Sequence, residues 1–277
     1  MEIINVTSWK EKKGIMTTGT RMKYWLEEPS ERDLYLFKLP KIDGELYAEI
    51  LAANLAKNIY GLRVPETYLG IKDDNFGVLT KTFVSTEENE RFDEIVDYFG
   101  ADFDAYTLEG YTVEKAYEIA SEQNILLEFY EMCFFDSIIG NQDRHCENWG
   151  ILYDSANKGT MAPLYDNGSS LLNGITDEKI NKMSTDGNML NAYVKRAESC
   201  FTANGKNKLK VDEFLSILYE LNPTLYSTVL PKFYYPDYQA ISDTIHQLSD
   251  IIINENRMKV LEKVIRQKTL VLGNIIK

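Results

Sequence analysis

The sequence predicts an α+β fold in two lobes: a small strand-rich N-lobe over residues 1–85 and a larger, mostly helical C-lobe over residues 86–277. Three observations carry that expectation. Strand formers with two-residue alternation are concentrated before residue 85, interrupted by a single helical stretch. Residues 121–139 are apolar on nearly every helical face, as in a helix buried on all sides. Beyond Asp177 the chain reads as a succession of helices.

In chain order, residues 14–23 form a Gly/Thr-rich turn followed by basic residues, and Tyr24-Trp25-Leu26 is a strand. Residues 34–39 are rich in strand formers and stop at Pro40, which cannot donate to a ladder. Residues 45–60 place Leu46, Ile50, Ala53, Leu55 and Ile59 at near-helical spacing, with Gly61 as a stop. Residues 64–71 and 76–84 read as two strands around the turn Lys72-Asp73-Asp74-Asn75. Residues 87–112 are charged and tyrosine-rich and read as a connector, with the lobes meeting near 83–90. Residues 121–139 are expected as one continuous helix that delivers the chain into the loop at Asp143. Helices are also expected over 237–253 and 256–276.

Composition narrows the function classes. The 43 acidic residues outnumber the 30 basic ones, giving a formal charge of −13 that argues against a nucleic-acid surface. No apolar run approaches the ~18 residues of a membrane span, and the N-terminus has no basic segment leading into a long apolar run. Cys133, Cys146 and Cys200 are odd in number and lack metal-ligand spacing, which suits reduced thiols in a cytoplasmic protein.

The densest chemistry lies in Ile139-Gly140-Asn141-Gln142-Asp143-Arg144-His145-Cys146-Glu147-Asn148, with Asp166 eighteen residues further on. Phosphoryl transfer by kinases uses one Asp to take the proton of the acceptor hydroxyl, then an Asn and a second Asp to hold Mg²⁺ on the phosphates. Oxygen donors suit that hard ion, which keeps several waters and takes only one or two carboxylates. A kinase also needs a lysine on an N-lobe strand and a glutamate on the following helix. Lys38 and Glu49 stand at those places. Alone, Lys38 reads as a strand-end lysine and Glu49 as a solvated helix residue; beside the Asp143 loop they read as a phosphate ligand and its support. Gly14 and Gly19 are spaced as in a Walker A loop, but Lys and Ser/Thr do not follow directly. Taken by itself this turn reads as an ordinary hairpin whose N–H groups could also cradle phosphate.

With these residues in place, the chain resembles the HipA-like serine/threonine kinases of bacterial toxin–antitoxin systems and their stand-alone relatives. The resemblance rests on Phe37-Lys38-Leu39-Pro40, residues 49–57, Val64-Pro65, residues 140–148 and Pro163-Leu164-Tyr165-Asp166-Asn167-Gly168-Ser169-Ser170. It implies a two-lobed protein-kinase-like fold and an ATP- and Mg²⁺-dependent serine/threonine kinase. In that reading Asp143 is the catalytic base, Asn148 and Asp166 bind Mg²⁺, Lys38 contacts the ATP phosphates and Glu49 orients Lys38. Lys81-Thr82-Phe83 is similar to the family's hinge, so Lys81 and Phe83 would meet the adenine through their backbone. Thr17, Thr18 and Gly19 are similar to its phosphate loop, which relatives regulate by autophosphorylation on a nearby serine.

The resemblance also implies a serine- or threonine-bearing protein substrate and an antitoxin partner. It identifies a short form without the extra N-terminal subdomain of full-length toxins. Departures are informative. Threonines replace the loop serine, and Glu147 stands where many relatives carry Lys, with Arg144 and His145 as compensating groups. His145 is assigned a catalytic role beside Asp143, donating to phosphate or to the loop. The Asp-Arg-His-x-x-Asn pattern is similar also to phosphoinositide kinases, so a lipid or small-molecule kinase is the second reading. A catalytically weak nucleotide-binding module is the third.

Overall fold

The computed structural model describes residues 2–14, 22–85, 87–101, 103–202, 208–248 and 252–275. A six-stranded sheet in the order β1-β5-β6-β4-β3-β2 forms the small lobe. Its strands are β1 (Ile3–Asn5), β2 (Lys10–Glu11), β3 (Lys23–Glu27), β4 (Leu34–Lys38), β5 (Thr67–Lys72) and β6 (Asn75–Lys81). Only β1 runs parallel to its neighbour, β5; the other pairs are antiparallel. Tyr35 and Phe37 on β4 are buried with Val6, Leu26 and Leu79 in a small core of their own. Because side chains alternate along a strand, Lys38 falls on the opposite face. That face is covered by α1 (Gly44–Asn58), whose Leu46, Ile50, Leu51 and Leu55 join Leu69 and Val78 in the main core. The predicted turn between β5 and β6 forms at Lys72–Asn75, with Asp73 and Asp74 both at positive φ, where short acidic side chains are among the better tolerated.

The connector and the central helix depart from the sequence expectation. Residues 91–94 form strand β7, which pairs with β8 (Gly150–Tyr153) and is followed by a short 3-10 turn over Ile95–Tyr98. Its alternation is masked in the sequence because Arg91, Asp93 and Glu94 interrupt the apolar pattern. The helix expected over 121–139 forms as α3 (Leu126–Ile139) and starts five residues later than expected, because residues 121–122 end a separate helix, α2 (Val113–Glu122), capped by the Thr112 hydroxyl. The break falls at Asn124, at φ 58°, a residue that enters the left-handed region more readily than most. Beyond β9 (Gly159–Met161) come α4 (Asp177–Thr185), α5 (Gly187–Lys195), α6 (Val211–Leu221), α7 (Pro223–Tyr234), α8 (Tyr238–His246) and α9 (Glu255–Asn274). No helix among the described residues is long and apolar enough to cross a membrane. All three cysteines are buried as free thiols, and burial raises each pKa, that of Cys146 to about 12.

At the end of α3, Gly140 adopts φ 69° and closes the helix by donating its N–H to Asp136 O. A Cβ at Gly140 would lie 2.8 Å from Nζ of Lys268 on α9, so position 140 excludes a side chain for two reasons. Lys268 is 4% exposed, and burial lowers its pKa to about 8. Relative to the ordinary lysine value of 10.5, that lowering corresponds to roughly 3 kcal/mol. The cost is full below about pH 8 and fades as pH rises towards 10.5, because only the unfolded chain still binds the proton in that window. Lys268→Met is therefore expected to be more stable than the parent at pH 7 by up to ~3 kcal/mol, with the gap shrinking towards pH 10. Urea unfolding of both proteins at the two pH values measures it. The tyrosines and cysteines that titrate in the same range cancel in the difference, and a pH-independent gap would refute the assignment.

Candidate active site

The loop after α3 is held from beneath by Arg144, whose guanidinium is 1% exposed. All five of its N–H donors are used. Nε donates to Asp136 Oδ2 at 2.9 Å and Nη2 to Asp136 Oδ1 at 3.0 Å, a bidentate pair with a carboxylate projecting from α3. Nη1 donates to the main-chain carbonyls of Asn148 at 2.8 Å and Tyr165 at 2.6 Å. Nη2 also reaches Asn167 Oδ1. Burial works against the charge, but the Asp136 carboxylate outweighs it and holds the Arg144 pKa above its ordinary value. The sequence reading of Arg144 as a cation offsetting Glu147 is thus corrected: the side chain is a buried hub that fixes the loop to the Tyr165–Asn167 segment. Asp136 was the available signal, a lone carboxylate in the apolar run Cys133-Phe134-Phe135-Asp136-Ser137-Ile138, where an unpaired charge would be costly.

Above this hub lie the residues singled out by chemistry. Asp143 receives Ser169 Oγ at its Oδ2, 3.3 Å away, and donates its own N–H to Asn141 Oδ1 at 3.1 Å. Asn148 donates Nδ2 to the Asp143 carbonyl at 2.6 Å, which fixes its amide and leaves Oδ1 as the group available to a ligand. Asp166 stands at φ 54° with its side chain about one-third exposed, and its Oδ1 lies 3.1 Å from Lys38 Nζ. Glu49 is buried; its Oε1 accepts the Asn167 N–H at 3.0 Å. Burial raises the Glu49 pKa, the Lys38 charge opposes that rise, and the Asp166 charge adds to it. The structure therefore brings Lys38, Glu49, Asp143, Asn148 and Asp166 together from four separate stretches of chain. Tyr165, Asn167 and Ser169, which hold this set in place, lie in the 163–170 stretch that carries the resemblance, but the sequence assigns them no role of their own.

The remaining candidates are distributed as follows. His145 Nδ1 accepts the Glu147 N–H at 3.2 Å, so in this geometry a proton on the ring belongs to Nε2. Glu147 faces Glu94 on β7, and burial together with Glu147 and Asp97 pushes the Glu94 pKa up to about 7. Lys81 pairs with Asp33, and its N–H donates to the Glu66 carbonyl; the Thr82 N–H goes to Leu34. Of the connector residues this leaves Phe83, whose ring stacks on Tyr165 at 5.6 Å and meets Phe92 edge-on at 5.3 Å. Thr17, Thr18 and Gly19 lie outside the described residues. Among the described residues no group of three or more His, Cys, Asp or Glu is placed to hold a metal. The donors at hand are one carboxylate and one amide oxygen, a set suited to a hard ion that keeps its waters and shares a substrate's phosphates.

A family model described as the HipA-like C-terminal domain matches residues 15–228. The serine/threonine-protein kinase CtkA of Helicobacter pylori is 26% identical over 207 residues, 66% of this chain and 61% of that protein. The match thus spans about three-fifths of the relative's length. Among solved structures, the Helicobacter pylori proinflammatory kinase CtkA superposes with a TM-score of 0.80 over 99% of both chains at 20% identity. A chain of the Shewanella oneidensis MR-1 toxin–antitoxin complex of HipA, HipB and operator DNA superposes with a TM-score of 0.57 at 12% identity, covering 96% of this chain and 66% of that one. At those identities the likeness shows the fold, which is the two-lobed kinase-like one.

Proposed function

The chain belongs to the HipA-like C-terminal domain family, and from that premise we propose that it is an ATP- and Mg²⁺-dependent serine/threonine protein kinase. The observation that carries the reading is the 3.1 Å approach of Lys38 Nζ to Asp166, beside the loop that holds Asp143 and Asn148. In this reading Asp143, steadied by Ser169 and Asn141, takes the proton of a serine or threonine hydroxyl as its oxygen forms a bond to the γ-phosphorus. The bond from that phosphorus to the β–γ bridging oxygen breaks, and ADP leaves. Lys38 balances charge on the phosphates, and Glu49 holds the Asn167 amide and so the backbone next to Asp166. Asn148 Oδ1 and Asp166 would hold Mg²⁺, which when bound neutralises charge on the transferring group. The Phe83 backbone would serve the adenine edge. His145, through Nε2, is a donor available to phosphate.

Two finer readings belong to the same proposal. The Shewanella HipA chain is solved with HipB and DNA, which supports an antitoxin as a partner to test and a toxin role for the activity. Threonines 17, 18 and 20 are the candidate autophosphorylation positions. The test is incubation of the purified chain with labelled ATP, Mg²⁺ and cell lysate, separated afterwards into protein and lipid fractions. Label in protein, lost on chelating the metal, is the expected result. Label in lipid would favour the phosphoinositide-type reading. Bound ATP with no label in either fraction would make the chain a nucleotide-binding module. Mass spectrometry of the chain after incubation with ATP alone reads autophosphorylation directly.

A further inference from the structure

Away from the Asp143 loop, a groove of about 960 Å³ opens between the end of β4, the N-terminus of α1, the β5–β6 turn and the N-terminus of α9. Its floor is aliphatic and aromatic, with Leu39, Ile42, Phe76 and Ile253 among its residues, and Ile42 is 43% exposed. Its rim is acidic. Asp43 and Asp74 are exposed, and among the described residues neither carboxylate has an ion pair or hydrogen bond. The cation lining the groove, Arg257, is buried, with Nη1 on Tyr47 Oη and the Leu172 carbonyl and Nη2 on the Ile175 carbonyl and Asp177.

An aliphatic floor under an uncompensated negative rim selects its occupant by charge. Phosphate and nucleotide ligands would meet two free carboxylates and a guanidinium already engaged. A second copy of this chain brings a net charge of −13 to the same rim. The complement is a polypeptide segment with an aliphatic anchor for the floor and Lys or Arg beside it for Asp43 and Asp74. We propose that this groove docks a basic, aliphatic-anchored segment of a partner protein. The bound segment rests on the start of the helix that carries Glu49 and on the Asn173–Asp177 stretch that follows Asp166. Gly44 already touches this stretch: a Cβ there would overlap the Asn173 carbonyl, so the two walls of the groove have no slack between them. The proposal concerns binding alone and holds or fails independently of phosphate transfer.

The probe is a randomised short-peptide library panned on the full chain and on the Asp43→Lys/Asp74→Lys variant. Neither substitution removes a helix cap, since the Asp43 side chain makes no capping bond. The intact chain should enrich sequences with Leu, Ile or Val flanked by Lys or Arg. Their affinity should fall about tenfold in the charge-reversed variant and weaken with added salt. Equal enrichment on both proteins, or selection of acidic peptides, would overturn the proposal. So would a concentration-dependent dimer abolished by Ile42→Asp, which would give the groove to a second copy. Thermal melts check that the variants fold; should the double variant fail, Ile42→Asp on an exposed side chain carries the same comparison.

Discussion

Asp166→Asn should lower phosphoryl transfer by about 10³-fold or more while leaving the fold intact. The side chain keeps its shape and can still accept from Lys38, 3.1 Å away, but it loses the anionic oxygen that a hard cation needs. Asparagine is the informative choice because residue 166 stands at φ 54°, a conformation Asn tolerates and most residues do not. Alanine would add roughly 1 kcal/mol of backbone strain and blur loss of charge with loss of structure. Initial rates with labelled ATP measure the effect, and matching melting temperatures of parent and variant isolate it. A variant at the parental rate would remove Asp166 from the site.

Breaking the Arg144–Asp136 pair should have the largest effect on stability. Arg144→Met leaves a buried carboxylate unpaired and orphans the carbonyls of Asn148 and Tyr165; Asp136→Ala leaves a buried guanidinium without its bidentate partner. Each is expected to cost about 3–5 kcal/mol, enough to unfold a domain of ordinary stability. The double variant Asp136→Leu/Arg144→Met should be less destabilised than the sum of the two, because no unpaired charge is left behind. Urea unfolding of the full set gives the cycle. Strict additivity would show that the pair does not act as a unit.

The parts of the site legible in the sequence were those where a charged or polar residue sits in a recognisable local pattern. Lys38 interrupts an apolar strand, and Asp143 and Asn148 sit in the polar loop that follows a long apolar helix; such signals depend on near neighbours alone. Asp166 is legible from its spacing after Asn148, and the pairing of β8 with β9 is what returns it to the loop. What escaped was set by long-range partners. Arg144 read as a cation offsetting Glu147, because the lone carboxylate of Asp136 signals a buried partner without saying which residue, eight positions on, supplies it. β7 escaped because its ladder is supplied by β8, more than fifty residues away. The break at Asn124 escaped because Ser121-Glu122-Gln123-Asn124 reads as well as one polar turn of a helix as it does as a stop, and only the left-handed backbone of Asn124 marks the change.

The Arg144 cluster also limits how this sequence can drift. Lysine offers its donors from a single point and cannot span a carboxylate, an amide and two main-chain carbonyls at once. Neither member of the Arg144–Asp136 pair can change first without leaving the other buried and alone. Lineages that keep the fold are therefore expected to keep both together, whether or not they keep the chemistry. Invariance at Arg144, one position from Asp143, would accordingly report selection on folding, while variation at His145 and Glu147 would be the sensitive record of what the loop is used for.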